Sequence, residues 1–325
     1  MLENNQPINS IPGIHHITAI AGNPQRNLDF YTGVLGLRLV KQTVNFDDPG
    51  TYHFYFAGPD GAPGTILTFF PWVNARAGKL GSGQAAVVSF SIPEGAIGYW
   101  HERLDEISGS ETFLETRFGE EVLNFQDPDG LPLALVSQPG EATRVWEHAP
   151  VAREYAIRGF HSLSLWEEGF QQTAELLSET LGFKLLHEGG GRFRFQAPGK
   201  AQGSLVDVFI QPNSQPGRMG AGIVHHVAWR TQDDESQLDW RRRLVDLGFN
   251  VTPVMDRQYF HSIYFREPGG VLFEIATDPP GFTLDEELEN LGTQLRLPPW
   301  LEARREKIER SLPQIQIPSY QQVSK

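Results

Sequence analysis

Histidine doublets in two apolar segments are the residues of this chain best suited to chemistry. His15-His16 lies in the run GIHHI and His225-His226 in the run GIVHHV, while a third apolar run, GGVLFEI, contains Glu274. Buried imidazole and carboxylate groups are costly unless something pairs with them. A divalent metal ion would satisfy them all, and two imidazoles with one carboxylate are the ligand set of non-haem Fe(II) oxygenases. These segments therefore predict a metal site.

The strand-like character of these runs limits which histidine of each doublet can bind a metal. Successive side chains of a β-strand point to opposite faces of the sheet. We therefore expect one histidine of each doublet to be a ligand, and the other to lie in the core or to support the ligand. The residues alone leave the choice between the two open.

An internal repeat must position these segments. Four units of the chain each begin with a short apolar strand, continue through an amphipathic helix and end in further strands. A polar connector over 138–155 separates the first pair of units from the second. The helices with clear stop signals are expected over 24–35, 170–181 and 236–247, each before a glycine, and two more are expected in the tail over 285–291 and 298–312.

Aligning the four units with one another shows that they are not equivalent. Units one and four have the histidine doublets, whereas unit three has Ser162 at the second doublet position and unit two has an apolar residue. The position of Glu274 in unit four is taken by Asp207 in unit three, Thr68 in unit one and Ala134 in unit two. If units one and four close around one cavity, that pair makes a three-ligand site, and the other pair is structural.

The composition excludes several classes of function. The 325 residues include no cysteine, so disulfides and thiolate metal sites are excluded, and a formal net charge of −13 argues against nucleic-acid binding. The chain has no apolar run long enough to span a membrane, and its polar first ten residues do not form a signal peptide. A cytoplasmic globular protein is expected, and these features also allow a homo-oligomer.

Longer stretches of the chain carry a family resemblance. They are GIHHIT (13–18), PGTILTFFP (63–71), GIVHHVA (222–228), DRQYF (256–260), SIYFREPGGVLFE (262–274) and, in the tail, DPPGF (278–282) and PPWLE (298–302). With the repeated units, they resemble the vicinal oxygen chelate superfamily, and within it the hydroquinone-type ring-cleaving dioxygenases. The resemblance covers essentially the whole chain.

This resemblance implies a fold and a domain organisation. The expected fold is α+β, with four βαβββ units that form two open barrel-like domains and a helical tail. The first pair of units would occupy 11–140, the second pair 156–280, and the tail 281–325.

The resemblance also implies the site and its reaction. Fe(II), or Mn(II) with the same ligands, would be held by the second histidine of each doublet and the final-strand carboxylate, which are His16, His226 and Glu274. The residues that surround the metal in the family correspond to His15, His225, Arg257 and Tyr264. A small hydroquinone-like or catechol-like ring would be cleaved with insertion of both atoms of dioxygen. We expect His225 and Tyr264 to transfer protons and Arg257 to stabilise negative charge.

The walls of the substrate pocket are less clearly marked in the sequence. We expect the ring to lie between aromatic side chains such as Phe54, Phe56 and Phe69, with the loop over 74–83 and the region around 52–56 shaping the pocket. Two other functions remain open. One is a glyoxalase-type isomerase or thiol transferase, which Thr68 disfavours because such enzymes have a fourth protein ligand there. The other is a non-catalytic protein that binds aromatic compounds or quinones.

Overall fold

The four units have the predicted order of strand, helix and strands. The computed structural model describes residues 10–109, 111–140, 145–199 and 202–321. Unit one contains β1 (Ile14–Ala21), α1 (Pro24–Leu28), β2 (Arg38–Asn45), β3 (Asp48–Ala57) and β4 (Ile66–Pro71). Unit two contains β5 (Gln84–Pro93), α2 (Ile97–Arg103), β6 (Phe113–Arg117), β7 (Glu120–Gln126) and β8 (Pro132–Gln138). Unit three contains β9 (Gly159–Glu167), α3 (Gln171–Glu175), β10 (Lys184–Gly189), β11 (Arg192–Gln196) and β12 (Leu205–Ile210). Unit four contains β13 (Ile223–Thr231), α4 (Asp234–Asp246), β14 (Met255–Asp256), β15 (Phe260–Arg266) and β16 (Leu272–Pro280).

The helices begin and end at residues suited to these positions. The side chain of Asn23 caps α1 by accepting from the amide of Arg26, and that of Asp233 caps α4 in the same way. Helices α1, α2 and α3 continue as π-helical turns over Asp29–Val34, Leu104–Ser108 and Leu176–Thr180. The three predicted glycine stops are confirmed, since Gly36, Gly182 and Gly248 have positive φ angles just after their helices.

The tail has less helix than the sequence predicts. In place of a helix over 285–291, the chain forms 3₁₀ turns at Phe282–Leu284 and Leu288–Asn290. The second expected helix is divided into α5 (Pro299–Glu302) and α6 (Arg305–Ser311). Buried Lys41 anchors the first part of the tail, because its ammonium group pairs with Asp285 and Glu286. Within the described residues, no helix combines the length and apolar character needed to cross a bilayer.

The strands form two curled eight-stranded sheets, consistent with the expected two-barrel α+β fold. The first sheet has the order β14-β15-β16-β13-β1-β4-β3-β2, and the second has the order β10-β11-β12-β9-β5-β8-β7-β6. Units one and four thus share the first sheet through the antiparallel pair β1–β13, while units two and three share the second through β5–β9. The proposed sequence domains, 11–140 and 156–280, each contribute strands to both sheets.

One large apolar core covers the outer faces of both sheets. Against the first sheet, Leu28 and Tyr31 of the first helical segment pack on Phe54, Phe56 and Phe69, and the ring centroids of Tyr31 and Phe69 are 4.5 Å apart. The inner face of the first sheet has a separate cluster that includes Tyr55, Phe260 and, from the tail, Phe282 and Leu291. The tail therefore closes one side of the first half-barrel.

Candidate metal centre

Three buried side chains meet at the centre of the first sheet. His16 on β1, His226 on β13 and Glu274 on β16 each direct one ligand atom to a common point, and these atoms all lie within 4.8 Å of one another. The Oε2 atom of Glu274 is 2.9 Å from Nε2 of His226 and 3.4 Å from Nε2 of His16, and the two Nε2 atoms are 3.4 Å apart. Within the described part of the chain, this is the one cluster of three or more His, Cys, Asp or Glu residues that could hold a metal ion.

Two β-bulges change the faces of the sheet to which the histidine side chains point. Between β1 and β13 the register shifts at two places, and the extra residues are His15 on β1 and His225 on β13. A bulge places two residues opposite one, so strict alternation fails there. The expectation that only one histidine of each doublet points to the cavity is therefore wrong for the second doublet, since both His225 and His226 line it.

A short contact between the two Nδ1 atoms joins the histidines of each doublet. The Nδ1 atoms of His15 and His16 are 2.9 Å apart, and those of His225 and His226 are 2.8 Å apart. Each short contact needs one donor and one acceptor. If Nδ1 of His16 and of His226 carries the proton, both Nε2 atoms present a lone pair to the common point, as a metal ligand must.

The pKa values of the supporting histidines agree with this arrangement. Burial, together with the neighbouring His226, lowers the pKa of His225 to about 3, and burial together with His16 lowers the pKa of His15 well below its usual range. Both rings are therefore neutral at pH 7. Each can accept at Nδ1 and keep its own proton on Nε2.

The environment of Glu274 fits a bound cation. The hydroxyl of Ser262 donates to Oε1 at 2.5 Å, whereas the buried Oε2 has only the Nε2 atoms of His16 and His226 beside it. Burial alone would raise the pKa of Glu274, but in the metal-free site the charges and N–H groups of His16 and His226 outweigh it and lower this pKa well below its usual value. A buried carboxylate oxygen beside two imidazole nitrogens is a donor set that suits a divalent metal ion.

A cavity of about 330 Å³ opens beside the two metal-facing imidazoles. Its polar lining includes Arg257 and Tyr264, whose guanidinium Nε and phenol oxygen are 3.3 Å apart. The same guanidinium reaches across to Asp47 of unit one at 3.0 Å. Arg257, Tyr264 and His225 are thus together in the cavity, whereas His15 does not line it and contacts His16 and Phe260 instead.

The predicted aromatic walls are wrong, and the reason is strand alternation. Phe54, Phe56 and Phe69 belong to the outer core, so their strand neighbours face the cavity. The loop over 74–83 does not line the cavity either, because it pairs with the segment over 216–221 through Lys79–Arg218 and neighbouring bridges. The aromatic and apolar side chains that line the cavity are Phe46, Tyr55, Phe70, Trp72, Phe260, Tyr264 and Leu272.

The region around 52–56 contributes to the cavity as expected, through His53 and Tyr55. Sequence reasoning did not single out these two side chains, and it missed Ser262, which holds Glu274, and Asp47, which pairs with Arg257. The repeat alignment contained the signal for Tyr55. Tyr264 pairs with Glu274 across β15 and β16, and Tyr55 pairs in the same way with Thr68, the residue that takes the place of Glu274 in unit one.

Two relatives of this chain are dioxygenases by name. The chain is 50% identical over 300 residues to MhqO of Bacillus subtilis (strain 168), which is named a "putative ring-cleaving dioxygenase", with 92% of this chain and 95% of the relative covered. It is 34% identical over 311 residues to the chlorohydroquinone/hydroquinone 1,2-dioxygenase of Sphingobium indicum, with 93% and 96% covered.

A solved structure and a family profile cover the same region. A crystal structure titled as a "putative dioxygenase" from Bacillus subtilis has 48% identity and a TM-score of 0.91, and the match covers 95% of this chain and 99% of that one. The profile of the Glyoxalase/Bleomycin resistance protein/Dioxygenase superfamily matches residues 13–135 and 159–275, which contain the four units. The chain therefore belongs to the Glyoxalase/Bleomycin resistance protein/Dioxygenase superfamily.

Proposed function

We propose that this protein is an Fe(II)-dependent ring-cleaving dioxygenase of the extradiol type that acts on hydroquinone-like or catechol-like aromatic compounds. The observation that carries the proposal is the convergence of two imidazoles and one carboxylate beside a largely aromatic cavity. Ligand sites of this kind are concave and mostly apolar, with a few well-placed polar groups. The relative that is named a hydroquinone 1,2-dioxygenase supports the choice of substrate class.

His16, His226 and Glu274 would hold the metal, with Mn(II) able to use the same ligands. Bound there, the ion supplies Lewis acidity toward a substrate hydroxyl and a site at which dioxygen can be activated. All three residues come from adjacent central strands, β1, β13 and β16, and His16 and His226 also line the cavity.

His225 would transfer a proton in the cavity. Its Nδ1 would accept from His226, so its Nε2–H is available to the substrate. As that proton leaves, Nδ1 would take the proton shared with His226, so the His225 ring stays neutral and the negative charge passes to the His226 ring. Arg257 would stabilise negative charge on the substrate, and Tyr264, whose pKa is raised by burial and by Glu274, supplies a protonated hydroxyl.

His15 would act through His16 and not on the substrate. Its ring is buried against Phe260, with ring centroids 5.2 Å apart, and it also hydrogen-bonds the backbone of Thr277. It therefore fixes the orientation and tautomer of the ligand, as outer partners of metal-binding histidines do. We propose a positioning role for His15.

The aromatic ring of the substrate would lie among apolar side chains that exclude water. Phe70 and Phe260 are close to the histidines, with Phe260 4.8 Å from the ring of His16 and Phe70 5.9 Å from the ring of His225. Low water content strengthens the electrostatic effect of Arg257 on a developing anion.

The test combines metal analysis with oxygen uptake. Protein purified without oxygen and loaded with Fe(II) is expected to consume one dioxygen per hydroquinone or catechol and to yield a ring-opened product. The metal-free protein should consume none. Turnover of thiol adducts with zinc or nickel, and no oxygen uptake, would instead indicate an isomerase, and binding of hydroquinone with no turnover under any metal would indicate a binding protein.

A further inference from the structure

The cavity contains a second tyrosine that pseudo-symmetry relates to Tyr264. Across the first sheet, Tyr264 is in register with Glu274, Glu274 with Ala228, and Ala228 with His16. The symmetry-related row runs from Tyr55 to Thr68, from Thr68 to Thr18, and from Thr18 to His226. Tyr55 is therefore the counterpart of Tyr264 on the side of the metal centre that lacks a carboxylate.

Tyr55 ends a chain of four hydrogen-bonded side chains. The hydroxyl oxygens of Thr18 and Thr68 are 2.8 Å apart, the hydroxyl of Thr68 is 2.8 Å from Nε2 of His53, and Nδ1 of His53 is 2.9 Å from the hydroxyl of Tyr55. Thr18 and Thr68 are fully buried, whereas His53 and Tyr55 line the cavity. This chain of hydrogen bonds runs from the centre of the sheet to the cavity.

Counting donors and acceptors decides the direction of this chain. A neutral imidazole has one donor nitrogen and one acceptor nitrogen, so the two hydrogen bonds of His53 must run the same way. If Tyr55 donates to His53, His53 donates to Thr68, and one proton of the buried Thr18–Thr68 pair is left without an acceptor among the described residues. An unmet buried donor costs on the order of 1–3 kcal/mol.

The opposite direction leaves no such buried group. Thr18 then donates to Thr68, Thr68 to Nε2 of His53, and Nδ1–H of His53 to the oxygen of Tyr55. The remaining proton is that of Tyr55, a residue that lines the cavity, so water or substrate can accept it there. Burial also raises the pKa of the Tyr55 phenol, so this proton is present at neutral pH.

We propose that Tyr55 donates a hydrogen bond to the oxygen substituent of the substrate ring that is not held at the metal centre. The hydrogen bonds among His53, Thr68 and Thr18 determine that the Tyr55 hydroxyl donates toward the cavity. The site would therefore prefer rings with two oxygen substituents, as in hydroquinone, to simple phenols. This inference rests on the proposed function, because it assumes that one ring oxygen binds beside His16 and His226.

Equilibrium binding of two non-turnover phenols tests this proposal. Both 4-methoxyphenol and 4-methylphenol have one hydroxyl, but only the first has an acceptor oxygen opposite it. With protein loaded with redox-inert Zn(II) under anaerobic conditions, we expect calorimetry to give about fivefold tighter binding of 4-methoxyphenol, the effect of one neutral hydrogen bond. In Tyr55→Phe the two Kd values should become equal.

Two further variants separate this role from general damage to the site. Tyr264→Phe removes the symmetry-related hydroxyl and should keep the preference for 4-methoxyphenol. Thr68→Val, which changes a residue outside the cavity, should reduce the preference, because His53 is then free to accept from Tyr55. An unchanged preference in Tyr55→Phe, with metal content equal to wild type, would overturn the inference alone. Failure of both phenols and of hydroquinone to bind wild-type protein would overturn the proposed function as well.

Discussion

The two sheets of this protein hold a buried carboxylate at the same register position and neutralise it in different ways. In the first sheet, Glu274 is in register with Tyr264 on the neighbouring strand and faces two imidazoles. In the second sheet, Asp207 is in register with Arg194, whose guanidinium binds it with two contacts of 2.7 Å and 3.0 Å. One sheet has three side chains that could hold a metal ion, and the other has a closed ion pair.

The closed ion pair extends into a wider network. Arg194 also donates to Glu120 at 2.5 Å, and Glu120 accepts from His161 at 3.0 Å. Burial opposes ionisation of Glu120, but the hydrogen bonds and charges of His161 and Arg194 outweigh it and lower its pKa to about 2. His161 is the bulged residue of β9 and corresponds to the first histidine of a doublet, but Ser162 follows it in place of a ligand.

The difference shows what a metal site requires beyond a buried carboxylate. A guanidinium is a permanent cation without a lone pair. It neutralises Asp207 and offers no lone pair that could bind a metal ion. Neutral imidazoles that donate from Nδ1 to His15 and His225 leave lone pairs beside Glu274. In the second sheet the cation beside the carboxylate is the guanidinium of Arg194. In the first sheet no side chain of the described residues takes that place, so the position suits a metal cation.

The variant Glu274→Gln should have the largest effect on function. It removes the anionic ligand, so iron content should fall to background and oxygen uptake with hydroquinone should fall by more than about 100-fold, since even outer partners of a ligand contribute 10- to 100-fold. Iron analysis and an oxygen electrode measure both. Ser162→Ala, at the corresponding histidine position of the second sheet, is the control and should keep activity. Wild-type iron and activity in Glu274→Gln would contradict the assignment of the triad.

His225→Gln should lower turnover without removing the metal ligands. If His225 transfers a proton, kcat should fall by roughly 10²- to 10⁴-fold. The matched control is His161→Gln, which changes the corresponding bulged histidine of the second sheet and should leave kcat within about twofold. Rates are compared at saturating Fe(II), so that reduced metal affinity does not count as lost chemistry. Equal rates for the two variants would show that His225 has no role in proton transfer.

The repeated units and the inequality of the two sheets could be predicted from the sequence. Each unit shows its strand periodicity and helix stops within short segments of the sequence, and these segments can be aligned with one another. The registers of the two sheets confirm the alignment of Glu274 with Asp207 and Thr68. The alignment also predicted that only units one and four combine two histidines with a carboxylate. The observed sheet brings those three residues together.

The remaining features depend on pairs of strands and were not visible in single segments. A bulge is a mismatch between two strands, so no pattern within β1 alone shows that His15 is the extra residue. Phe54 and Tyr55 are both apolar enough for either face, and the pairing of β3 with β4 decides which one faces the cavity. In the sequence, Arg194 resembles an exposed charged residue of a hairpin, because its partner Asp207 lies on a different strand.

Asp207→Asn should affect stability and not metal binding. It leaves the Arg194 guanidinium buried without its main anion, which typically costs 3–5 kcal/mol, so we expect about 3 kcal/mol lower free energy of unfolding. Denaturant unfolding measures this loss, and iron content should equal that of wild type. Glu274→Gln is the opposite case. It should lose its iron, and its metal-free form should lose less free energy of unfolding than Asp207→Asn. Loss of iron in Asp207→Asn would show that the second sheet is not only structural.

The two sheets meet at a pair of buried acids with unequal surroundings. Glu267, just before β16, accepts hydrogen bonds from the hydroxyl of Thr173 and the amides of Gly269 and Val271. Glu167, at the end of β9, is fully buried, and its carboxyl oxygens receive no conventional hydrogen bond from the described residues. Burial, and then the charge of Glu267, raise the pKa of Glu167 to about 8. Glu167 is therefore protonated at pH 7.

Glu167→Gln should change the pH dependence of stability at this junction, which is the smallest of the expected effects. The native carboxyl keeps its proton up to about pH 8, whereas the unfolded chain releases it near pH 4.5. Because the native state binds more protons in this window, wild-type stability should decrease as the pH rises from about 4.5 to about 8. The glutamine variant has no proton to release at this position, so its unfolding midpoint should decline less over the same window. Parallel pH profiles for the two proteins in thermal unfolding would mean that Glu167 is already ionised at the junction of the two sheets.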